Sequence, residues 1–191
     1  MEITYVLQIT TIVITLFLGI ISYLQTHKIQ EGQNIIAVTT KYRSERCEQL
    51  KEAGASLLTN TSADLLKSNL DTLSMLKNAT QSYEKIGMIM HRNFEADKEL
   101  ISLAKKIINA AFEYVDNTNE ANLKKLTYLQ ETFRLKCDLY TVADWNRIKQ
   151  ETKGQNTSSE SWISYHLKLE SDFKDEFKKI EDEYLNHQNI H

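Results

Sequence analysis

From Ile3 to Thr26 the chain runs for 24 residues, "ITYVLQITTIVITLFLGIISYLQT", without a charge or a proline. No other feature constrains the fold as strongly. At 1.5 Å per residue such a helix reaches roughly 36 Å, more than the ~30 Å hydrocarbon core of a bilayer. A helix this long on a water-soluble core would carry charges on its outer face. The sequence therefore predicts a transmembrane anchor over residues 1–28. A cleaved signal peptide fits less well, because it needs a basic start, a shorter apolar stretch and a small-residue cleavage site. Here the start is Met1-Glu2 and the apolar stretch ends in "SYLQTHK". Lys28, Lys41, Arg43, Arg46 and Lys51 follow the stretch and no Lys or Arg precedes it. The positive-inside rule then predicts that residues 29–191 are cytoplasmic. Cys47 and Cys137, both in helical patterns, are expected to stay thiols in a reducing compartment.

The polar residues of the predicted span are ordered. At 100° per residue, Thr4, Gln8, Thr11, Thr15, Gly19, Ser22 and Thr26 fall within an arc of about 80°. Thr10 and Gln25 are the polar residues off this face. Threonine and serine can bond back to the carbonyl four residues earlier, at little cost in lipid. Glutamine is different, since lipid offers its amide no partner. A face of small and polar residues favours helix association at about 0.6–2 kcal/mol per polar contact. With one span per chain, the partner has to be another chain. In a ring of copies the same face would line a water-filled lumen.

The remaining ~160 residues suffice for one domain with a real core. The chain has no proline, five glycines and a net charge of −3, and no alternating apolar pattern reads as a strand. The predicted class is all-α: an N-terminal transmembrane helix, then a cytoplasmic bundle of about five helices. The helices are expected near 33–58, 63–90, 94–116, 119–151 and 160–187. Gly32 is the one weak point between the span and the first of them, so the two are expected to run nearly continuously. Ser62 is the candidate N-cap of the second helix. Its inward residues are expected to be Leu66, Leu70, Leu73, Leu76, Tyr83, Ile86 and Met90. Leu100, Ala104, Ile107, Ile108, Ala111 and Val115 make the third helix the most apolar, which places it at the bundle centre. The fourth turns Leu126, Leu129, Phe133, Cys137, Tyr140 and Trp145 inward. In the fifth, Trp162, Ile163, Tyr165 and Leu167 precede a charged stretch with a narrow stripe of Phe173, Phe177, Ile180 and Tyr184.

Little in the chain points to catalysis. It has no phosphate-binding glycine loop, no dinucleotide fingerprint and no cysteine pair at metal spacing. Of His27, His91, His166, His187 and His191, the pair His187/His191 has metal-like spacing with Glu183, but near a chain end it reads as a solvated terminus. His166 beside Trp162 reads as a packed or surface histidine. Helical ribonucleases of the HEPN class place a histidine four to six residues after an arginine. Arg43, Arg46, Arg92, Arg134 and Arg147 all lack one. No enzymatic activity, cofactor, metal or small-molecule substrate is predicted. In "KYRSERCEQLK", Lys41, Arg43, Arg46 and Lys51 form a membrane-proximal basic group. A solvated helix face with i,i+4 pairs explains it as well as contact with anionic lipid or nucleic acid, since Glu45 and Glu48 dilute the charge.

The layout, a single span running into "TTKYRSERCEQL" with a small helical domain and "DWNRIKQE" late in the chain, resembles small bacterial single-pass membrane proteins. Among these it is most similar to the accessory membrane protein of type VI-B CRISPR loci. That resemblance implies an oligomeric pore in the bacterial inner membrane that strengthens antiviral defence. It also implies an RNA-targeting CRISPR nuclease, or its products, as partner, and a divergent HEPN-like bundle, here without the catalytic motif. Two readings follow: a homo-oligomeric pore or membrane-perturbing effector in contact with lipid, and a membrane-tethered helical adaptor whose bundle binds a cytoplasmic protein.

Overall fold

The computed structural model describes residues 2–68, 71–90, 94–153, 155 and 158–186, with residues 2–10, 12 and 186 described as backbone alone. The described residues are all-helical. In chain order the helices are α1 (Glu2–Asn60), α2 (Ala63–Lys67), α3 (Thr72–Ile89), α4 (Glu95–Asp116), α5 (Glu120–Thr152), α6 (Ser159–Asp172) and α7 (Lys174–Asn186). The chain divides into two compact units, Met1–Tyr42 and Arg43–His191, with the boundary inside α1.

In the first unit α1 passes Gly32 without a break. Every large apolar side chain from Val13 to Leu24 is exposed, Phe17 at 64% and Tyr23 at 68%. Among the described residues no helix is long and apolar enough to cross a membrane. The start of the predicted span, Thr4 to Thr10 with Ile12, lies outside the described side chains.

The second unit is a helical bundle. The last third of α1 buries Cys47, Leu50, Ala53 and Leu57, spaced three, three and four residues apart, as one helix face requires. Gly54 lets α5 come close: a Cβ there would lie 3.4 Å from the Phe133 ring. Beyond α1, Gln130 Nε2 donates to Thr61 O and Oγ1 at 3.0 and 2.9 Å, pinning the chain where it leaves the helix. α4 is central as expected, with Leu100, Ala104, Ile107, Ile108 and Ala111 buried. α5 buries Leu126, Leu129, Phe133 and Tyr140. Asn119 caps α5 by accepting from Asn122 N at 2.8 Å.

Several expectations need correction. The second predicted helix is two, α2 and α3. Asp71, at φ 55°, lies in the left-handed region and starts α3 by accepting from Ser74 N. The three-and-four spacing of the leucines assumed an unbroken register. After the restart Leu73 is 79% exposed, and Leu70 lies outside the described residues. Ser62 sits at the N-cap of α2 but makes no side-chain cap bond. In α4 the buried face is carried by Ala110, Ala111 and Tyr114, which leaves Val115 exposed. In α5 Trp145 is exposed and its neighbour Asp144 is buried, because Asp144 has a cationic partner inside. Ile163, Leu167 and Phe173 are exposed, and a turn at Phe173 divides the predicted fifth helix into α6 and α7.

Candidate functional site

The predicted seam occupies α1 within the first unit. Thr11, Thr15, Gly19, Ser22 and Thr26 are exposed, while the side chains of Thr4 and Gln8 lie outside the described set. Thr15 Oγ1 donates to the Thr11 carbonyl at 2.8 Å, so its hydroxyl is satisfied within its own helix. Nothing lies within 4 Å of where a Gly19 Cβ would be. The chain thus presents a small-residue face that it does not itself cover. At the end of the seam His27 Nδ1 approaches Glu31 at 3.4 Å, an exposed i,i+4 pair.

The basic residues do not act as one patch. Lys41 and Lys51 are exposed. Arg43 instead pairs with Glu151, and Arg46 Nη2 donates to Asp144 Oδ2 at 2.6 Å. Both carboxylates belong to α5. In this pairing the two arginines hold α1 against α5 rather than facing lipid or nucleic acid.

Around Arg46 the second unit has a buried polar centre. Asp144 and Asp97 are fully buried, and Tyr140 is 1% exposed. Cys47 Sγ donates to Asp144 Oδ2 at 3.6 Å, and the Arg46 guanidinium lies 5.5 Å from the Tyr140 ring centroid. Burial opposes the Arg46 charge, but Tyr140, Asp144 and Asp97 more than offset it and raise the pKa. Burial, reinforced by Asp144, pushes the Cys47 thiol up to about 12. Burial likewise raises Cys137, with Asp138 adding to it. A thiol reacts as the thiolate, so neither cysteine is poised as a nucleophile. Burial also raises the Tyr140 hydroxyl, which bonds to Asp97.

His166 extends this centre. It is buried, with its ring 5.3 Å from that of Trp162 and 6.2 Å from that of Tyr140. Burial lowers its pKa, with Glu170, Lys136, Glu99 and Asp97 as its charged neighbours. Lys136 donates to Glu170 Oε1 at 2.9 Å and also pairs with Glu99. Burial works against its charge as well, and these two carboxylates hold its pKa up. Among the described residues no group of three His, Cys, Asp or Glu side chains could hold a metal ion. His91, Arg92, His187 and His191 lie outside the described residues.

Sequence reading passed over Asp97, Tyr140 and Asp144 as polar partners. Asp144 had one available signal. In "TVADWNRI" it occupies the position seven residues after Cys137 and four after Tyr140, on the apolar face of α5, where an acid needs a cation. Asp97 had none, since "FEADKEL" reads as an ordinary acidic first turn. No protein-family model, curated protein or solved structure matches this chain.

Proposed function

We propose that this chain is a single-pass bacterial inner-membrane protein that self-associates through the seam of α1 and forms a pore or perturbs the membrane, as an accessory effector of CRISPR-linked antiviral defence. The observation that supports it is the exposure of α1: all the large apolar side chains from Val13 to Leu24 lack cover within the chain, and Thr11, Thr15, Gly19, Ser22 and Thr26 are exposed beside them. A bilayer covers the first set, and further copies of the helix cover or enclose the second. The anchor also draws on the uncharged stretch that begins at Ile3. In a ring of helices, Thr11 and Thr15 hydroxyls near mid-membrane would hydrate a narrow lumen, whereas an aliphatic ring at that depth would favour dewetting. The defence setting and the RNA-targeting nuclease rest on the family resemblance alone.

The test is membrane potential, read with a voltage-sensitive dye in cells expressing the protein beside its active nuclease partner. The wild type should depolarise the inner membrane. Thr11→Leu with Thr15→Leu should abolish depolarisation at unchanged membrane-bound protein, and Ile14→Leu with Leu18→Ile should preserve it. Normal depolarisation by the double-leucine variant would remove the seam-lined pore. Topology is best probed through Ser171→Cys, because native Cys47 is buried and Cys137 only partly exposed. That new thiol should resist a membrane-impermeant reagent until the cells are lysed.

The adaptor reading draws on a different observation. Leu73 and Met88 of α3 are 79% and 80% exposed, two large apolar groups on one bundle helix available to a cytoplasmic protein. No depolarisation by the wild type would favour this second reading.

A further inference from the structure

His166 sits where α6 meets α4 and α5. Its ring is buried against the rings of Trp162, one turn earlier on α6, and Tyr140 of α5, and it borders the cavity between α4 and α6. It makes no hydrogen bond and no ion pair among the described residues. A neutral imidazole tolerates such a seat. An imidazolium carries a charge and two N–H donors, and these need partners when taken out of water.

The charged groups around it are already matched to one another. On α4, Glu99 pairs with Lys136, Asp97 accepts from the Tyr140 hydroxyl, and Glu95, at the edge of the cavity, pairs with Lys98. On α5, Lys136 also donates to Glu170 of α6 at 2.9 Å. The Arg46 guanidinium of α1 stands 5.5 Å from the Tyr140 ring centroid. The Lys136 ammonium thus joins α4, α5 and α6 through two carboxylates. A proton on His166 finds no uncommitted acid and has to compete for one. Glu170 lies four residues on along the same helix, the spacing of an i,i+4 pair. Once Glu170 turns to His166, a bridge between α5 and α6 becomes a pair within α6.

We propose that His166 is an acid-operated latch on α6: when it takes up a proton, Glu170 passes from Lys136 to His166 and α6 loosens from α4 and α5. Histidine suits this role, since its ordinary pKa of about 6.5 lies where lysines and carboxylates keep their charges. Burial holds the His166 pKa below its ordinary value, against the pull of Glu170, Glu99 and Asp97. The seated state therefore binds fewer protons than the loosened one. The stability this group gives is complete above pH ~6.5 and is lost as the pH falls through that value to the lower pKa of the seated ring. The latch lies wholly within the second unit and does not depend on the membrane reading.

The test is amide hydrogen exchange of the full chain in neutral detergent at about pH 7.5 and about pH 5.5, corrected for the intrinsic effect of pH on exchange. Protection of α6 should fall by roughly threefold to tenfold at the lower pH, as a shift of about one pKa unit allows, while protection of α4 holds. His166→Phe keeps an aromatic ring against Trp162 and Tyr140 and cannot be protonated, so its α6 should be equally protected at both pH values. Lys136→Met tests the handover. With its competitor gone, Glu170 is free to meet His166, so α6 should be looser than in the wild type at the higher pH and show no further fall at the lower. Where His166→Phe is already loose at the higher pH, Lys136→Met decides. The proposal is overturned by a wild-type α6 whose protection does not fall, by a fall shared equally with α4, by the same fall in a well-seated His166→Phe, or by the full fall in Lys136→Met.

Discussion

One helix, α1, follows two different rules along its length. From Val13 to Leu24 its large apolar side chains are all exposed, and its small and polar residues keep to one face. From Arg43 to Leu57, Cys47, Leu50, Ala53 and Leu57 are buried, and both its arginines pair with carboxylates of α5. The backbone is helical throughout; what changes is where partners come from. In the second stretch the chain supplies them. In the first it leaves the large apolar groups exposed; on the proposed function, lipid and other copies cover them. Polar residues on an apolar helix thus mean two things: a pair within the fold, or a surface held for something outside it.

The largest effect should come from breaking the second kind of pairing. Asp144→Ala leaves the Arg46 guanidinium, 12% exposed at the side chain, facing a partner that is gone. Removing one member of a buried ion pair costs about 3–5 kcal/mol, which should read as a loss of stability in chemical denaturation of the full chain. Replacing both partners, Arg46→Met with Asp144→Leu, should recover only part of that loss, because the ion pair is then gone from both sides while the buried Asp97 loses a neighbouring cation. If Asp144→Ala costs no more than an exposed pair, below about 1 kcal/mol, the contrast between the two stretches of α1 collapses.

The helix sorts its glycines in the same way. A side chain at Gly54 meets Phe133 and Cys137, while one at Gly19 meets nothing within 4 Å. Gly54→Leu should overpack the bundle and cost about 1–3 kcal/mol in unfolding. Gly19→Leu should leave unfolding of the bundle unchanged but lower the mass of the assembly in detergent, by blocking close helix approach. A full-size assembly with Gly19→Leu would mean that association is driven by the bundle rather than the seam.

How much of this could be read from the sequence follows the same division. The apolar periodicity of α4 and the run Leu126, Leu129, Phe133 announced their buried faces, because packing against a helix imposes a spacing that composition reveals. The break at Asp71 did not announce itself. Asp71 follows a leucine spacing that continues past it, while the backbone at Asp71 is left-handed and α3 starts anew after it. The polar centre was hidden for another reason. Arg46 with Asp144, and Tyr140 with Asp97, join residues far apart in sequence, and no local pattern encodes which acid meets which base. The seam was legible as an angular pattern, but a pattern on one chain does not name its partner.

The smallest effect belongs at Gly32, between the two stretches. It is helical, and a Cβ there would meet nothing within 4 Å. Glycine inside a helix is less favourable than alanine by about 0.5–1 kcal/mol, because it has more backbone freedom to lose. Gly32→Ala should therefore stiffen α1 locally. Amide hydrogen exchange at the flanking residues should slow by roughly twofold to fivefold, the same free energy expressed as a ratio. Global unfolding should not change, since no bundle contact is made or lost at this position. Assembly should not change either, since Gly32 lies beyond the seam. Depolarisation lost through Gly32→Ala, at normal assembly and membrane content, would show that α1 has to bend at this glycine to work. Slower exchange with everything else unchanged would leave the two stretches acting as separate surfaces.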